Sequence, residues 1–319
     1  MQADPAFVGI RTFMHLPHRR ATKRLDYAIV GLPFDTGASF GVGSRFGPAA
    51  IRAASMLLRP YNPALSVHIS RQLEGIDYGD IPITPGDAAA SLQTISRRLA
   101  RLHRQGVVPI ALGGDHSVAL GELRAAASVH GPVHLVLFDS HPDTWDTYFG
   151  SPYGHSTPFR RAVEERLLDP DRSIICGLRG TLFDANDWDD ARRMGFMLVT
   201  AEEMHTGGLL TLPERIRQRV GQGPVFMSFD IDFLDPAFAP GTGTPEIGGF
   251  TTRDAQYLIR GLKGVTLVAA DVVEVLPSTD YCSITAYAAA NLVYEMLSVL
   301  AYSNRNAALL RGDVCLEKP

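Results

Sequence analysis

Val133-His134-Leu135-Val136-Leu137-Phe138-Asp139-Ser140-His141-Pro142-Asp143 joins a short apolar run to an abrupt alternation of acids and histidine. The apolar half is brief and almost unbroken. That is the pattern of a parallel strand covered by helices on both faces, where both sides of the pleat are buried. In an extended segment, residues i, i+2 and i+4 face one side. Asp139, His141 and Asp143 are therefore expected to aim together.

Five further runs have the same character: Tyr27–Leu32, Val107–Leu112, Ser173–Gly177, Val225–Asp230 and Leu267–Asp271. Helix-like stretches lie between them, among them Ala88–Arg104, Leu120–Val129, Pro213–Val220 and Thr252–Leu262. Pro213 suits a first helical turn, and Thr251 or Thr252 can cap the next helix. Ile284–Leu300 is apolar around much of its circumference and reads as a buried helix. Strand and helix in alternation predict an α/β fold: one three-layer, doubly wound, mostly parallel sheet. No repeat or linker divides the chain. A single domain is expected over residues 1–319, with its core at about 25–302.

Ligands of open α/β sheets bind beyond the carboxyl ends of the strands. Three strands here end in clusters: Gly113-Gly114-Asp115-His116-Ser117, Asp139 to Asp143, and Ser228-Phe229-Asp230-Ile231-Asp232. Any one of them reads as readily as a cap or a surface loop. Three at strand ends do not. Crowded carboxylates repel unless a cation neutralises them. His116, Asp139, His141, Asp143, Asp230 and Asp232 form a mixed oxygen and nitrogen set without thiolates, which suits manganese or a similar divalent ion. Six such residues exceed what one ion needs if carboxylates bridge, so two ions are expected, roughly 3.5–4 Å apart and able to activate a shared water. Magnesium with a phosphate substrate is the rival, but no GxxxxGK[ST] loop is present.

The bulk properties fit a small-molecule enzyme. In 319 residues, 45% hydrophobic and 20% charged, the net charge is −4. No basic stripe suggests a nucleic-acid partner, and a cationic substrate would not be repelled. Cys176, Cys282 and Cys315 are an odd, sparse set without CxxC spacing, arguing against disulfides or a zinc knuckle. No secretory signal is read at the N-terminus and no apolar run looks long enough to cross a bilayer, so no membrane partner and a cytoplasmic location are expected.

The three clusters, with Asp235-Pro236-Ala237 following the third, closely resemble the metal motifs of the ureohydrolase (arginase and agmatinase) family. Residues 239–249, Ala-Pro-Gly-Thr-Gly-Thr-Pro-Glu-Ile-Gly-Gly, and Asp271-Val272-Val273-Glu274-Val275-Leu276-Pro277 look like the agmatinase branch. The likeness begins at Gly31-Leu32-Pro33-Phe34-Asp35 and Arg45-Phe46-Gly47-Pro48 and covers nearly the whole chain.

The resemblance implies two Mn2+ per subunit: His116 and Asp143 on one, His141 and Asp232 on the other, with Asp139 and Asp230 bridging. It implies that Glu274 binds a substrate guanidinium and that His155 assists proton transfer or substrate binding. Asp143, as a metal-bound acid, could also protonate the leaving amine. The products would be urea and an amine, with agmatine the first substrate choice and a guanidino acid such as 4-guanidinobutyrate or 3-guanidinopropionate the second. A homo-oligomer, trimer or hexamer, is implied. A non-catalytic regulatory subunit would be signalled by a lost ligand, and none is lost. A deacetylase of related fold would need a different metal set and a Tyr electrophile.

Taken alone, Glu274 reads equally as a salt-bridged strand-end acid and His155 as a solvated loop histidine. Trp145 and Tyr148 frame the pocket or pack elsewhere; Asp115 and Asp235 are expected to orient ligands. Asp146 and Glu246 receive no role. His15, His18, His103 and His205 read as surface or packing residues. Gly241–Gly249 lacks a following Lys and reads as an ordered loop over the site's mouth. Ser140 and Ser156 stand where Ala and Gly are usual, and Gly41 where an Arg is common, which leaves the substrate's tail open.

Overall fold

The computed structural model describes residues 5–20 and 24–311, with side chains through residue 304. Its strands are β1 (Tyr27–Leu32), β2 (Tyr61–Asn62), β3 (Val67–His68), β4 (Gly75–Asp80), β5 (Val108–Gly113), β6 (His134–Phe138), β7 (Ile174–Leu178), β8 (Met197–Thr200), β9 (Pro224–Asp230) and β10 (Thr266–Val273). The helices are α1 (Gly47–Ser55), α2 (Ile69–Gln72), α3 (Ala88–His103), α4 (Val118–His130), α5 (Pro158–Glu164), α6 (Asp189–Met194), α7 (Ala201–His205), α8 (Leu212–Val220), α9 (Thr252–Gly261) and α10 (Ile284–Arg311).

Eight strands form one sheet in the order β4-β1-β5-β10-β9-β6-β7-β8, and every pairing in it is parallel. β2 and β3 pair separately as a small antiparallel ribbon. Successive residues of one strand serve opposite layers. Val136 and Phe138 of β6 join the core beneath α1, α8, α9 and α10, whereas Leu135 and Leu137 join the core beneath α4 and α5. This is the three-layer α/β architecture predicted from the apolar runs. Besides that ribbon, two strands of the main sheet were not legible. β4, Gly-Ile-Asp-Tyr-Gly-Asp, has no apolar run, and β8 is only half-buried. Both are sheet edges, where one flank has no strand to cover it.

Thr251 caps α9 in a reciprocal capping box with Asp254, and Pro213 lies in the first turn of α8. One expectation needs correction. Tyr281–Asn304 is long and apolar enough, by length and composition, to cross a membrane, but most of it is buried inside this fold. The same helix buries Glu295, which receives Arg260 at 2.5 and 2.9 Å and Asn62 at 2.9 Å. Without those partners the buried charge would be strongly destabilising. Cys176 is buried and Cys282 exposed, while Cys315 lies outside the described residues.

The chain order places the site. β5 and β6 are separated by β10 and β9, which enter the sheet last. Three strand spacings amount to roughly 14 Å, so side chains after β5 and β6 converge over the ends of the two late strands.

Candidate metal centre

Six donors meet at the carboxyl ends of β5, β6 and β9. His116 Nδ1 lies 3.2 Å from Asp139 Oδ2, 2.9 Å from Asp143 Oδ2 and 3.3 Å from Asp230 Oδ2. His141 Nδ1 lies 3.0 Å from Asp232 Oδ2 and 3.6 Å from Asp139 Oδ1. Two adjoining groups result, His116–Asp139–Asp230 and Asp139–His141–Asp232, and Asp139 belongs to both. Of the two bridging carboxylates implied, Asp139 spans the groups, whereas Asp230 places Oδ2 beside His116 and uses Oδ1 to accept from Asp232 N at 2.9 Å.

The backbone does not aim these side chains as expected. β6 ends at Phe138, and Ile231–Phe233 is a 3-10 turn capped by Asp230. Asp143 has φ +49° and Glu274 φ +63°. Left-handed backbone costs a non-glycine residue about 1–3 kcal/mol. Here it turns Asp143 towards His116 and away from His141. Glu274 is held in place by its N–H, which donates to Gly114 O at 2.9 Å. Gly114 itself allows the close approach, since a Cβ there would lie 1.8 Å from Phe34 O.

The donor set fits a pair of divalent cations. His116 Nδ1, Asp139 Oδ2 and Asp232 Oδ2 are buried without any hydrogen-bond donor, so only a cation or an added proton can satisfy them. Burial opposes charge on both imidazoles, but the surrounding carboxylates hold His116 and His141 well above the usual histidine range. Burial, with Asp139 beside it, pushes Asp143 up to about 6. Burial, Asp232 and Asp139 likewise raise Asp230. Asp232 goes the other way: burial disfavours its charge, yet His141 and two hydrogen bonds from Ser140 hold it low.

The metal-free cluster therefore carries extra protons at neutral pH, and a metal must displace them. Metal affinity is expected to rise with pH across the region where these imidazoles and Asp143 deprotonate. Calorimetry in buffers of different ionisation enthalpy checks this; the absence of proton release would show that the imidazoles are not ligands.

Beside this cluster, His155 Nδ1 lies 3.1 Å from Glu274 Oε1, which also accepts from His116 N at 2.9 Å. Ser39 approaches His155 Nε2 with Oγ at 2.7 Å and N at 3.2 Å. Burial works against charge on His155, but Glu274, Asp143 and Asp115 outweigh it and bring its pKa up to about 9. The Ser39 N–H suits the neutral ring, while the acids favour the charged one. The two forms differ by one proton on Nε2, and that proton is what the ring can give away.

The pocket above the donors has a volume of about 440 Å3. Ser39, Asp143, Trp145, Tyr148, His155 and Glu246 are among its lining. Glu274 lies behind that lining, 2% exposed. Trp145 stands edge-on to Tyr148 at 5.4 Å and to Phe183 at 5.5 Å, so both aromatic residues singled out in the sequence do frame the pocket.

A profile described as the arginase family matches residues 25–298. The chain belongs to the arginase family. Among its relatives, the guanidinobutyrase of Pseudomonas aeruginosa is 46% identical over 93% of this chain and 94% of its own length. The mitochondrial agmatinase of Gallus gallus is 44% identical over 92% of this chain and 86% of its own. The solved proclavaminate amidino hydrolase of Streptomyces clavuligerus superposes with a TM-score of 0.91 at 38% identity, covering 94% of this chain and all of that one. The chain is thus a ureohydrolase.

Within this arginase-family site, several residues act in ways their sequence context did not reveal. Arg179 gives its guanidinium to the carbonyls of Gly177, Asp232, Leu234, Glu246 and Ile247, clamping the turn after β9 to the Gly-rich loop. Asp235, expected to orient ligands, instead accepts from Gly248 N at 2.9 Å and Gly249 N at 3.1 Å and pins that loop. Asp115 accepts from Gly37 N at 2.7 Å and positions the segment carrying Ser39. Ser140 donates Oγ to Asp232 Oδ1 at 2.7 Å, so this departure from the family pattern supports a candidate ligand. Gly41 packs on Gly243, whose Cα lies 2.6 Å from where a Cβ would stand. Asp146 pairs with Arg160 and Arg161. Among the histidines given no role, His103 pairs with His130 and His205 stacks on Phe250.

Proposed function

We propose that this chain hydrolyses the guanidino group of a short linear compound to urea and an amine, with Mn2+ at both donor groups and agmatine as the substrate. The observation that carries the reading is the joint placement of His155 and Glu274 against the two donor groups. His116 and Asp143 would hold one ion and His141 and Asp232 the other, with Asp139 shared between the groups and Asp230 contributing from beside His116. A pair of bound ions supplies an activated water near neutral pH.

The remaining work falls to side chains. Glu274 has one oxygen tied to His116 N and His155, leaving the other for the planar guanidinium, whose N–H fork matches a carboxylate. As water's oxygen bonds to the guanidino carbon, the scissile C–N bond can break only when its nitrogen gains a proton. His155 Nε2 would give it, with Asp143 as the second acid.

Charge at the mouth supports the amine tail. Asp187 and Glu246 line the pocket, and Arg179, the Lys or Arg among the described lining residues, is committed to backbone carbonyls. A guanidino acid is the second reading. The guanidinobutyrase likeness favours it, and Ser39, Ser156, Thr181 and Thr244 offer neutral hydroxyls for a carboxylate. A homo-oligomer, trimer or hexamer, acting in the cytoplasm belongs to the same reading, and sedimentation would test the assembly.

Urea release from manganese-loaded protein is the decisive assay, run over agmatine, 4-guanidinobutyrate, 3-guanidinopropionate and arginine. Highest kcat/KM on agmatine is expected. Preference for 4-guanidinobutyrate would transfer the reading to the acid, and no urea from any of them would overturn it. A chelator should abolish the activity and manganese restore it.

A further inference from the structure

Glu122 lies in α4 among Leu120, Leu123, Ala125 and Ala126, all buried and apolar. A carboxyl group in that row is anomalous. It is 1% exposed, and neither oxygen meets a hydrogen-bond donor of the ordinary kind. Asp271 of β10, on which α4 packs, is fully buried, and its Oδ2 also lacks a donor. Its Oδ1 accepts from Ser228 Oγ at 2.7 Å and Phe229 N at 3.2 Å.

Glu122 and Asp271 are joined side chain to side chain. Two carboxylates cannot hydrogen-bond, so one of the pair carries a proton. Burial, with the Asp271 charge beside it, pushes Glu122 well above the usual carboxylate range. Asp271, with two donors already on Oδ1, is the better anion.

The arrangement continues towards the site. Ser228 spends its proton on Asp271, so its oxygen can only accept from His116 Nε2, 2.9 Å away. With the proton on Nε2, the Nδ1 lone pair faces Asp139, Asp143 and Asp230. Partners beyond the ligands commonly fix a histidine's tautomer and ring orientation in this way.

We propose that Glu122 is a positioning residue: a neutral carboxylic acid that donates to Asp271 Oδ2 and completes a relay, Glu122–Asp271–Ser228–His116, which sets the tautomer and aim of His116. The inference rests on His116 being a metal ligand. It assigns α4 a part in the site that its apolar pattern hides. An apolar residue at position 122 would leave Asp271 Oδ2 buried against hydrocarbon, the arrangement that makes loss of one partner costly.

The test compares Glu122→Gln and Glu122→Leu in the full chain. A glutamine amide donates to Asp271 as the acid does; leucine cannot. Manganese affinity, measured by competition with a metal-sensitive dye, is expected to stay near wild type for Glu122→Gln and to fall roughly 10–100-fold for Glu122→Leu. The infrared difference between wild type and Glu122→Gln should contain one protonated-carboxyl band, present only in wild type. Unchanged affinity in Glu122→Leu, or a wild-type minus Glu122→Gln difference spectrum without that band, would overturn the relay. Should the leucine variant fail to fold, the infrared comparison still decides. Wild-type protein that holds no manganese would instead count against the metal reading, and the band would then test the acid pair separately.

Discussion

Glu274→Gln is expected to lower turnover on the guanidino substrate by roughly 10²–10³-fold, the usual cost of removing one placed electrostatic group, while both metal ions stay bound. Glutamine keeps an oxygen for His116 N and His155 Nδ1, which now meet Glu274 Oε1 at 2.9 and 3.1 Å. What it loses is the negative charge opposite a guanidinium. Kinetics and metal analysis of the same preparation separate the two effects. If the substitution strips the metals, Glu274 supports His116 and does not select the substrate. The strained backbone at this residue, φ +63°, also makes alanine a poorer probe, because it would remove the side-chain contacts at the same time.

Asp139→Asn should have a larger consequence and two readouts. Its two oxygens serve the two donor groups, so the change is expected to empty both and reduce urea release to background. The metal-free protein should also lose part of the dependence of its stability on pH. The reason is that burial and the Asp139 charge both raise Asp143 and Asp230. An acid whose folded pKa is raised destabilises the fold at higher pH, and that loss is recovered as pH falls through the raised value. For Asp143 that value is about 6. Metal-free wild type should therefore gain stability as pH falls below about 6 towards the ordinary carboxylate range, and Asp139→Asn should show less of that gain. Calorimetric melting with and without manganese, repeated across this pH range, tests both. A variant that keeps the wild-type pH dependence without metal, or still gains Tm with it, would contradict the shared-carboxylate reading.

Much of the site was legible because buried parallel strands must be apolar, which leaves the polar clusters at their ends conspicuous. His116, Asp139 and Asp230 could be read from that contrast, and the structure brings the three within reach of one another. Glu122 and Asp271 could not. An acid in an amphipathic helix ordinarily faces water, and nothing local says that Glu122 faces the sheet. Arg179 was equally hidden, since five backbone carbonyls leave no pattern in side-chain identity.

By itself the sequence determined the class of fold, the residues at the strand ends and the family to which they belong, because periodicity and local composition carry those properties. Only the tertiary structure decided that β10 and β9 stand between β5 and β6. It also decided that Asp139 spans both donor groups while Asp230 keeps one oxygen on the backbone of its own turn, and that an acid pair lies behind His116. Each depends on strand order or on one backbone turn, and such contacts between distant residues are settled by how the layers assemble rather than by any neighbouring residue.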